Sequence, residues 1–390
     1  VLDVAADVLA GPCTTDPTVT YRSDRPDVGV ALDLLAGAER PAVALGERPS
    51  PAVVAAFREL LRVTGMPCFA AYGSLGVVAD DDEHHGGTLY QLARLGADLR
   101  PDALLVLGQP LGFDTPGLRD GGTAWGVRLV RVDPDPTEVK RFADPAVGVV
   151  AGTDAAIRAL LAAAPDRTWA DRSAWRATVR GGLGATRAEL DAIEPVTGVR
   201  LHPYAAARVT TDAAFAGGAV VVGDGAVCKH WLHDALRVPA GGRYLTHGRL
   251  GAMGQGFGAA IGAACVSGGP VVCVTGDGAA GFALGELEAI ARHRLTVVIV
   301  VMNNARWGAS MGFQLRHGGP ERVIGTELSD ASYDAVARAL GGDGIRVAAL
   351  DDLRAAIDGG LHRKGLTVVN VSTHSDGPPS PELPLLMSHP

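Results

Sequence analysis

The chain has 390 residues, which at ~150 residues per domain indicates two or three domains. Its 47% apolar and 20% charged residues supply sizeable cores and exclude a disordered chain. Thirty-five basic against 43 acidic residues leave a net charge of −8, which argues against nucleic acid as the main partner.

Residues 1–25 open abruptly in a strand-like run, VLDVAADVL. Over 26–165, short apolar runs alternate with helical spacing. Strands are expected at Ala42–Gly46, Ala103–Gly108 and Val127–Asp133, and helices at Ala52–Thr64 and Asp154–Ala164. Residues 166–200 are polar, carry Trp169 and Trp175, and read as a helical linker. A second alternating unit covers 201–374. Its expected helices run from His202 to Ala214, Phe282 to Arg292, Ser332 to Leu340 and Asp351 to Leu361. Its strands end at Gly223 and cover Val271–Gly276, Thr296–Asn303, Ile345–Ala349 and Leu366–Val371. Residues 375–390 are a Pro- and Ser-rich tail. The fold class is α/β, with two doubly wound parallel-sheet domains.

Glycine is the compositional outlier, with 52 of 390 residues, twice the usual ~7%. Five scattered cysteines (Cys13, Cys68, Cys228, Cys265, Cys273) form no C-x-x-C pair and read as reduced thiols of a cytoplasmic protein. No apolar stretch reaches the ~18 residues of a membrane span, so no membrane partner is expected.

The informative stretch is Gly276-Asp277-Gly278, then 24 residues (279–302), then Asn303-Asn304. A strand–turn–helix with glycines lets backbone N–H groups approach a diphosphate, whose charge a helix N-terminus favours. The spacing fits one helix and one strand, so the Asn pair reaches the same crevice from the neighbouring parallel strand. An Asp carboxylate, an Asn carbonyl and a backbone carbonyl, with two phosphate oxygens and water, complete an octahedral Mg²⁺ site. Each motif alone is commonest as a turn or loop; the pair at consecutive strand ends is more specific.

These residues resemble the thiamine-diphosphate-dependent enzymes of the acetohydroxyacid (acetolactate) synthase/pyruvate oxidase type. The resemblance implies a Rossmann-like central domain followed by the thiamine-diphosphate-binding fold. It makes Asp277, Asn304 and the backbone carbonyl of Arg306 the Mg²⁺ ligands, and Gly276, Gly278, Ala279 and Ala280 diphosphate contacts. Trp307 and Gly308 follow the Asn pair as in that family, and Glu286-Leu287 match the Glu-Leu of its intervening helix. Gly251-Ala252-Met253-Gly254 resembles the stretch whose Met bends the cofactor into a V; core packing is the alternative for Met253. Gly223 to Val227 resembles a second diphosphate turn, adding Gly225, Ala226 and Val227, with a plain turn as the alternative. Phe313-Gln314 stands where the synthases carry an aromatic-Gln pair on the substrate side. Ala309 replaces their usual Met and reshapes that pocket. His247, near the Met253 loop, is the one histidine considered for catalysis, with surface packing the alternative.

Gly73–Val77, Leu107-Gly108 with Leu111–Asp114, Asp133–Pro136 and Gly152–Asp154 resemble the family's central domain. Some relatives hold FAD there; a plain scaffold is equally compatible. Gly254-Gln255-Gly256-Phe257-Gly258 is not a nicotinamide fingerprint, because its spacing is G-x-G-x-G. The resemblance implies a lyase or transferase that uses thiamine diphosphate and Mg²⁺ on a 2-oxo acid such as pyruvate. It covers only the central and diphosphate domains, and no Glu matches the one that activates the pyrimidine. The pyrimidine-binding domain is therefore expected on a separate subunit, in a dimer of heterodimers, with residues 1–25 its last strand; a truncated chain is the alternative. Other readings are an aldehyde-releasing decarboxylase and a catalytically silent regulatory or scaffold subunit.

Overall fold

The computed structural model describes residues 26–374, apart from 113–114, 116–117, 119–121, 123–124, 143, 198 and 247–250. The N-terminal arm, the tail from 375, Phe113-Asp114 and the candidate His247 lie outside the described residues.

Six parallel strands form the first sheet: β1 (Pro41–Leu45), β2 (Cys68–Ala70), β3 (His85–Thr88), β4 (Ala103–Leu107), β5 (Arg128–Asp133) and β6 (Val147–Val150). Their order is β3-β2-β1-β4-β5-β6, the doubly wound arrangement. The central pair β1 and β4, PAVAL and ALLVL, is buried throughout, as strands covered by helices on both faces must be. One face packs Leu32, Leu35, Phe57, Leu60, Ile157 and Leu160 from helices Gly29–Ala36, Pro51–Thr64 and Thr153–Ala163. The helix Pro51–Thr64 starts with proline at its first position and ends at Gly65, whose φ of +68° suits only glycine well.

A two-residue hairpin, β7 (Val196–Thr197) and β8 (Arg200–Leu201), precedes the second sheet. That sheet contains β9 (Val220–Gly223), β10 (Tyr244–Thr246), β11 (Val271–Gly276), β12 (Val297–Asn303), β13 (Asp343–Val347) and β14 (Leu366–Ser372). All are parallel, in the order β10-β9-β11-β12-β14-β13. The sequence-expected helix Phe282–Arg292 is instead two short helices, Asp277–Gly281 and Glu286–Arg292. The expected strand at Ile345–Ala349 sits two residues earlier, because Gly344 lets it press onto the backbone of Asp334.

The polar segment 166–200 clamps rather than merely links. Its helix Ser173–Asp191 lies against the other face of the first sheet, where the Trp175 indole donates to the Pro41 carbonyl at 3.0 Å. The Arg172 guanidinium, almost fully buried, donates to the carbonyls of Thr64, Leu35, Ala36 and Ala38 at 3.0, 3.2, 3.1 and 3.0 Å. Arg187 forms a two-pronged pair with Asp80 at 2.9 and 2.5 Å, fixing the loop between β2 and β3.

Two buried histidines make this architecture acid-sensitive. Burial pushes the His85 imidazole down to about 4, with Asp80 partly opposing, and pushes His202 down to about 4 as well. In the unfolded chain each titrates near ~6.5. Their folded-state contribution is complete above that value and is lost as pH falls toward 4, at about 1.4 kcal/mol per pH unit for each. The denaturant midpoint is therefore expected to fall between pH 7 and pH 5, less steeply in His85→Phe. A midpoint flat across that range would contradict this placement of the two rings.

Candidate active site

In the second sheet the chain leaves β9 toward β10 on one side and returns to β11 on the other. The C-terminal ends of β9 and β11 therefore bound a crevice, the place where open α/β sheets bind ligands. The first sheet has the same reversal between β1 and β4. Both open into one cleft of about 1040 Å³. Gly46, Glu47, Gly108 and Gln109 face it from one side, and Gly225–Lys229 and Gly276–Ala279 from the other.

The two sheets meet along a narrow seam. The Asp80 N–H donates to the Val238 carbonyl at 2.9 Å. Gly76 packs so close that a Cβ there would lie 2.7 Å from Val238 and 2.8 Å from the Gly242 carbonyl. The Tyr72 ring stacks on His233 across the same seam.

On the second-sheet wall, Asp277 is 3% exposed and opens the helix after β11. Burial pushes its carboxyl up to about 6, against the backbone N–H groups of Gly278, Arg306 and Ala305. The Arg306 N–H donates to both Asp277 Oδ2 and Asn304 Oδ1, each at 3.2 Å. Oxygens from adjacent strand ends thus converge on one point. The neighbouring Asn303 has a different task. Its amide donates to Asp330, the Ala331 carbonyl and Asn370, while its oxygen accepts the Ala305 N–H. This holds Ala305 at a φ of +55°, a turn that a non-glycine residue adopts at a cost. The Tyr333 hydroxyl donates to the Asp277 backbone carbonyl at 2.8 Å, so the carboxylate is the group presented to the cleft.

The glycines of the two turns have steric causes. A Cβ on Gly278 would lie 2.5 Å from the Trp307 ring, and one on Gly225 would meet the Cys228 sulfur at 2.8 Å and the Gly276 nitrogen at 3.3 Å. The backbones of both turns stay approachable because no side chain fills them. That fits a diphosphate, whose charge backbone N–H groups can meet. Carboxylate, amide and backbone-carbonyl oxygens form a hard donor set suited to Mg²⁺ completed by phosphate oxygens. Among the described residues no group of three or more His, Cys, Asp and Glu could hold a metal.

Gly225, Ala226, Val227, Gly251, Met253, Gly276, Asp277, Gly278, Ala279, Asn304, Arg306, Trp307, Gly308 and Ala309 all line the cleft. Met253 is 38% exposed, which core packing does not predict. Ala280 is buried beneath the lining, and Phe313 and Gln314 lie off it. Phe313 is 53% exposed against His317, and the Gln314 amide is bonded to the Ile324 backbone. Glu47, Tyr72, Tyr90, Lys229, His230 and His233 also line the cleft. For Glu47 the sequence did hold a signal, its place just after the strand at Ala42–Gly46.

Comparison with known proteins agrees with this geometry. Residues 28–160 match "Thiamine pyrophosphate enzyme, central domain", and residues 222–371 match "Thiamine pyrophosphate enzyme, C-terminal TPP binding domain". The chain is 26% identical over 385 residues to oxalyl-CoA decarboxylase of Escherichia coli (strain K12), covering 95% of this chain and 67% of the relative. It is 28% identical over 375 residues to 2-hydroxyacyl-CoA lyase of Arabidopsis thaliana, covering 89% and 62%. It is 30% identical over 306 residues to sulfoacetaldehyde acetyltransferase of Roseovarius nubinhibens, covering 70% and 49%. The chain thus spans half to two thirds of the length of these relatives. With both sheets matched and the two strand-end motifs facing one cleft, the chain carries the central domain and the C-terminal TPP binding domain of thiamine pyrophosphate enzymes.

Proposed function

We propose that the cleft binds thiamine diphosphate and Mg²⁺ and serves a 2-oxo-acid decarboxylase or carboligase with a pyruvate-like substrate. The observation that carries this reading is the convergence of Asp277 and Asn304 oxygens on the Arg306 N–H at the ends of β11 and β12. Asp277, Asn304 and the Arg306 carbonyl hold the metal. Gly276, Gly278, Ala279 and Gly225–Val227 offer backbone to the diphosphate, with Ala280 supporting the turn from below. Met253, Gly251, Trp307 and Gly308 shape the cofactor's bed, and Ala309 belongs to the substrate side, whereas Phe313 and Gln314 lie off the lining. When bound, the cofactor supplies the electron sink for decarboxylation. The chain's residues orient it, balance its charge and exclude water.

The first-sheet wall presents Glu47, Asp133 and Glu138. These carboxylates suit hydroxyl donors better than phosphate, so no step is assigned to FAD. No glutamate among the described residues is assigned to activating the pyrimidine. The relatives are longer single chains, which supports a pyrimidine-binding part on the same polypeptide. The four cysteines among the described residues form no disulfide, which favours the cytoplasm.

Copurification followed by incubation with pyruvate, with and without an acceptor aldehyde, tests the reading. We expect CO₂ release that requires Mg²⁺, thiamine diphosphate and the pyrimidine-binding part, and a ligated product when the acceptor is present. Turnover by this chain alone would sink the two-subunit arrangement. Aldehyde as the only product in both incubations would favour the simple decarboxylase.

A further inference from the structure

Asp224 follows β9 within the turn Gly223–Val227, yet it is fully buried and absent from the cleft wall. Both of its carboxylate oxygens accept the Gly254 N–H, each at 3.1 Å. One of them also accepts the Thr275 hydroxyl at 3.2 Å. Its own N–H donates to the Val274 carbonyl at 2.9 Å, and its carbonyl accepts the Cys228 thiol at 3.3 Å. One residue thus joins the turn after β9, the end of β11 just before Gly276, the first turn of helix Val227–Ala235, and the residue after Met253.

The glycines beside Met253 are the clearance for this contact. Gly254 has a φ of +83°, and a Cβ there would lie 2.8 Å from the Phe282 Cβ. A Cβ on Gly256 would lie 2.5 Å from the Asp224 Cβ. The G-x-G spacing that superficially suggests a dinucleotide fingerprint is therefore the seat of helix Gln255–Ser267 on a buried carboxylate.

We propose that Asp224 is a positioning residue that sets Met253 against the two diphosphate turns, so that binding of the diphosphate and placement of Met253 are coupled. This rests on the reading above, in which Met253 shapes the bound cofactor. Asp224 touches no cofactor itself. It fixes the Gly254 N–H to the turns, and Met253 moves with them.

A double-mutant cycle tests it in the full-length protein with any partner it copurifies with. Thiamine diphosphate is titrated at saturating Mg²⁺, and binding is followed by calorimetry and by the near-ultraviolet circular dichroism of the bound cofactor. Asp224→Asn is expected to weaken binding about tenfold, a size common for coupled neighbours, and to change the dichroism at saturation. In the Met253→Ala background the same change is expected to cost less than about twofold. Thr275→Val removes a single hydroxyl and should shift affinity and dichroism the same way by less, which keeps the test open if Asp224→Asn does not fold. Losses from Asp224→Asn and Met253→Ala that simply multiply overturn the coupling while leaving the cofactor assignment intact. A wild-type protein that binds no thiamine diphosphate overturns both.

Discussion

Asp277→Ala is expected to lower Mg²⁺-dependent affinity for thiamine diphosphate by a hundredfold or more. Loss of a residue that merely supports a metal ligand typically costs ~10–100-fold, and Asp277 is placed as a ligand itself. Its surroundings make the prediction specific. Burial raises the Asp277 carboxyl to about 6, above its ordinary value, so an ionised carboxylate there destabilises the fold as pH rises through that range unless a cation faces it. Near neutral pH the alanine variant should therefore keep, or slightly raise, the thermal midpoint of the cofactor-free protein while losing binding. Calorimetry with Mg²⁺ and thermal denaturation without it read the two halves separately. Equal binding by wild type and variant would remove Asp277 as a metal ligand; a large loss of cofactor-free stability would make its role architectural.

The largest effect on stability is expected at Arg172. Its guanidinium satisfies four carbonyls, including those near the C-terminal ends of helices Gly29–Ala36 and Pro51–Thr64. Truncation to alanine leaves those acceptors in a buried, dry corner and removes a cation from two helix C-termini. A loss of about 3–5 kcal/mol is expected, the range for breaking a buried charged network. Arg172→Lys should recover only part of it, because an ammonium cannot span four acceptors as a planar fork does. Denaturant unfolding of both variants measures this. A loss under about 1 kcal/mol for alanine would show that water reaches these carbonyls.

The parts of the fold legible in the sequence were those whose burial leaves a continuous apolar run. VVCVTG and VVIVVMN are strands because both faces are covered. The shortest strands were not legible: His85–Thr88 reads HGGT, and Tyr244–Thr246 has three residues, too few to show a period. Helix Gln255–Ser267 was hidden by its own glycines, of which Gly256 clears the Asp224 side chain. The chemical half of the site could be read because its residues sit at strand ends in one βαβ unit. On the opposite wall only Glu47 left a signal, at its strand end; the Tyr72–His233 stack could not be read, because its two rings meet only where two separately wound sheets meet. Arg172 looked like one more charge in a polar linker, since no local pattern reveals which distant carbonyls a guanidinium will serve.

The seam at Gly76, Asp80 and Val238 carries a consequence for how such a chain diversifies. The aperture between the walls is set by backbone contacts at Asp80 and Gly76 and by a shared apolar cluster in which Ala70 and Leu75 of the first unit join Leu232 and Val238 of the second. Enlarging Gly76, or shortening the side chain of Val238, would widen or narrow that aperture while Asp277, Asn304 and the glycine turns stay in register. The width of the cleft and the donor groups at Asp277 and Asn304 thereby rest on different residues, and one can change without disturbing the other.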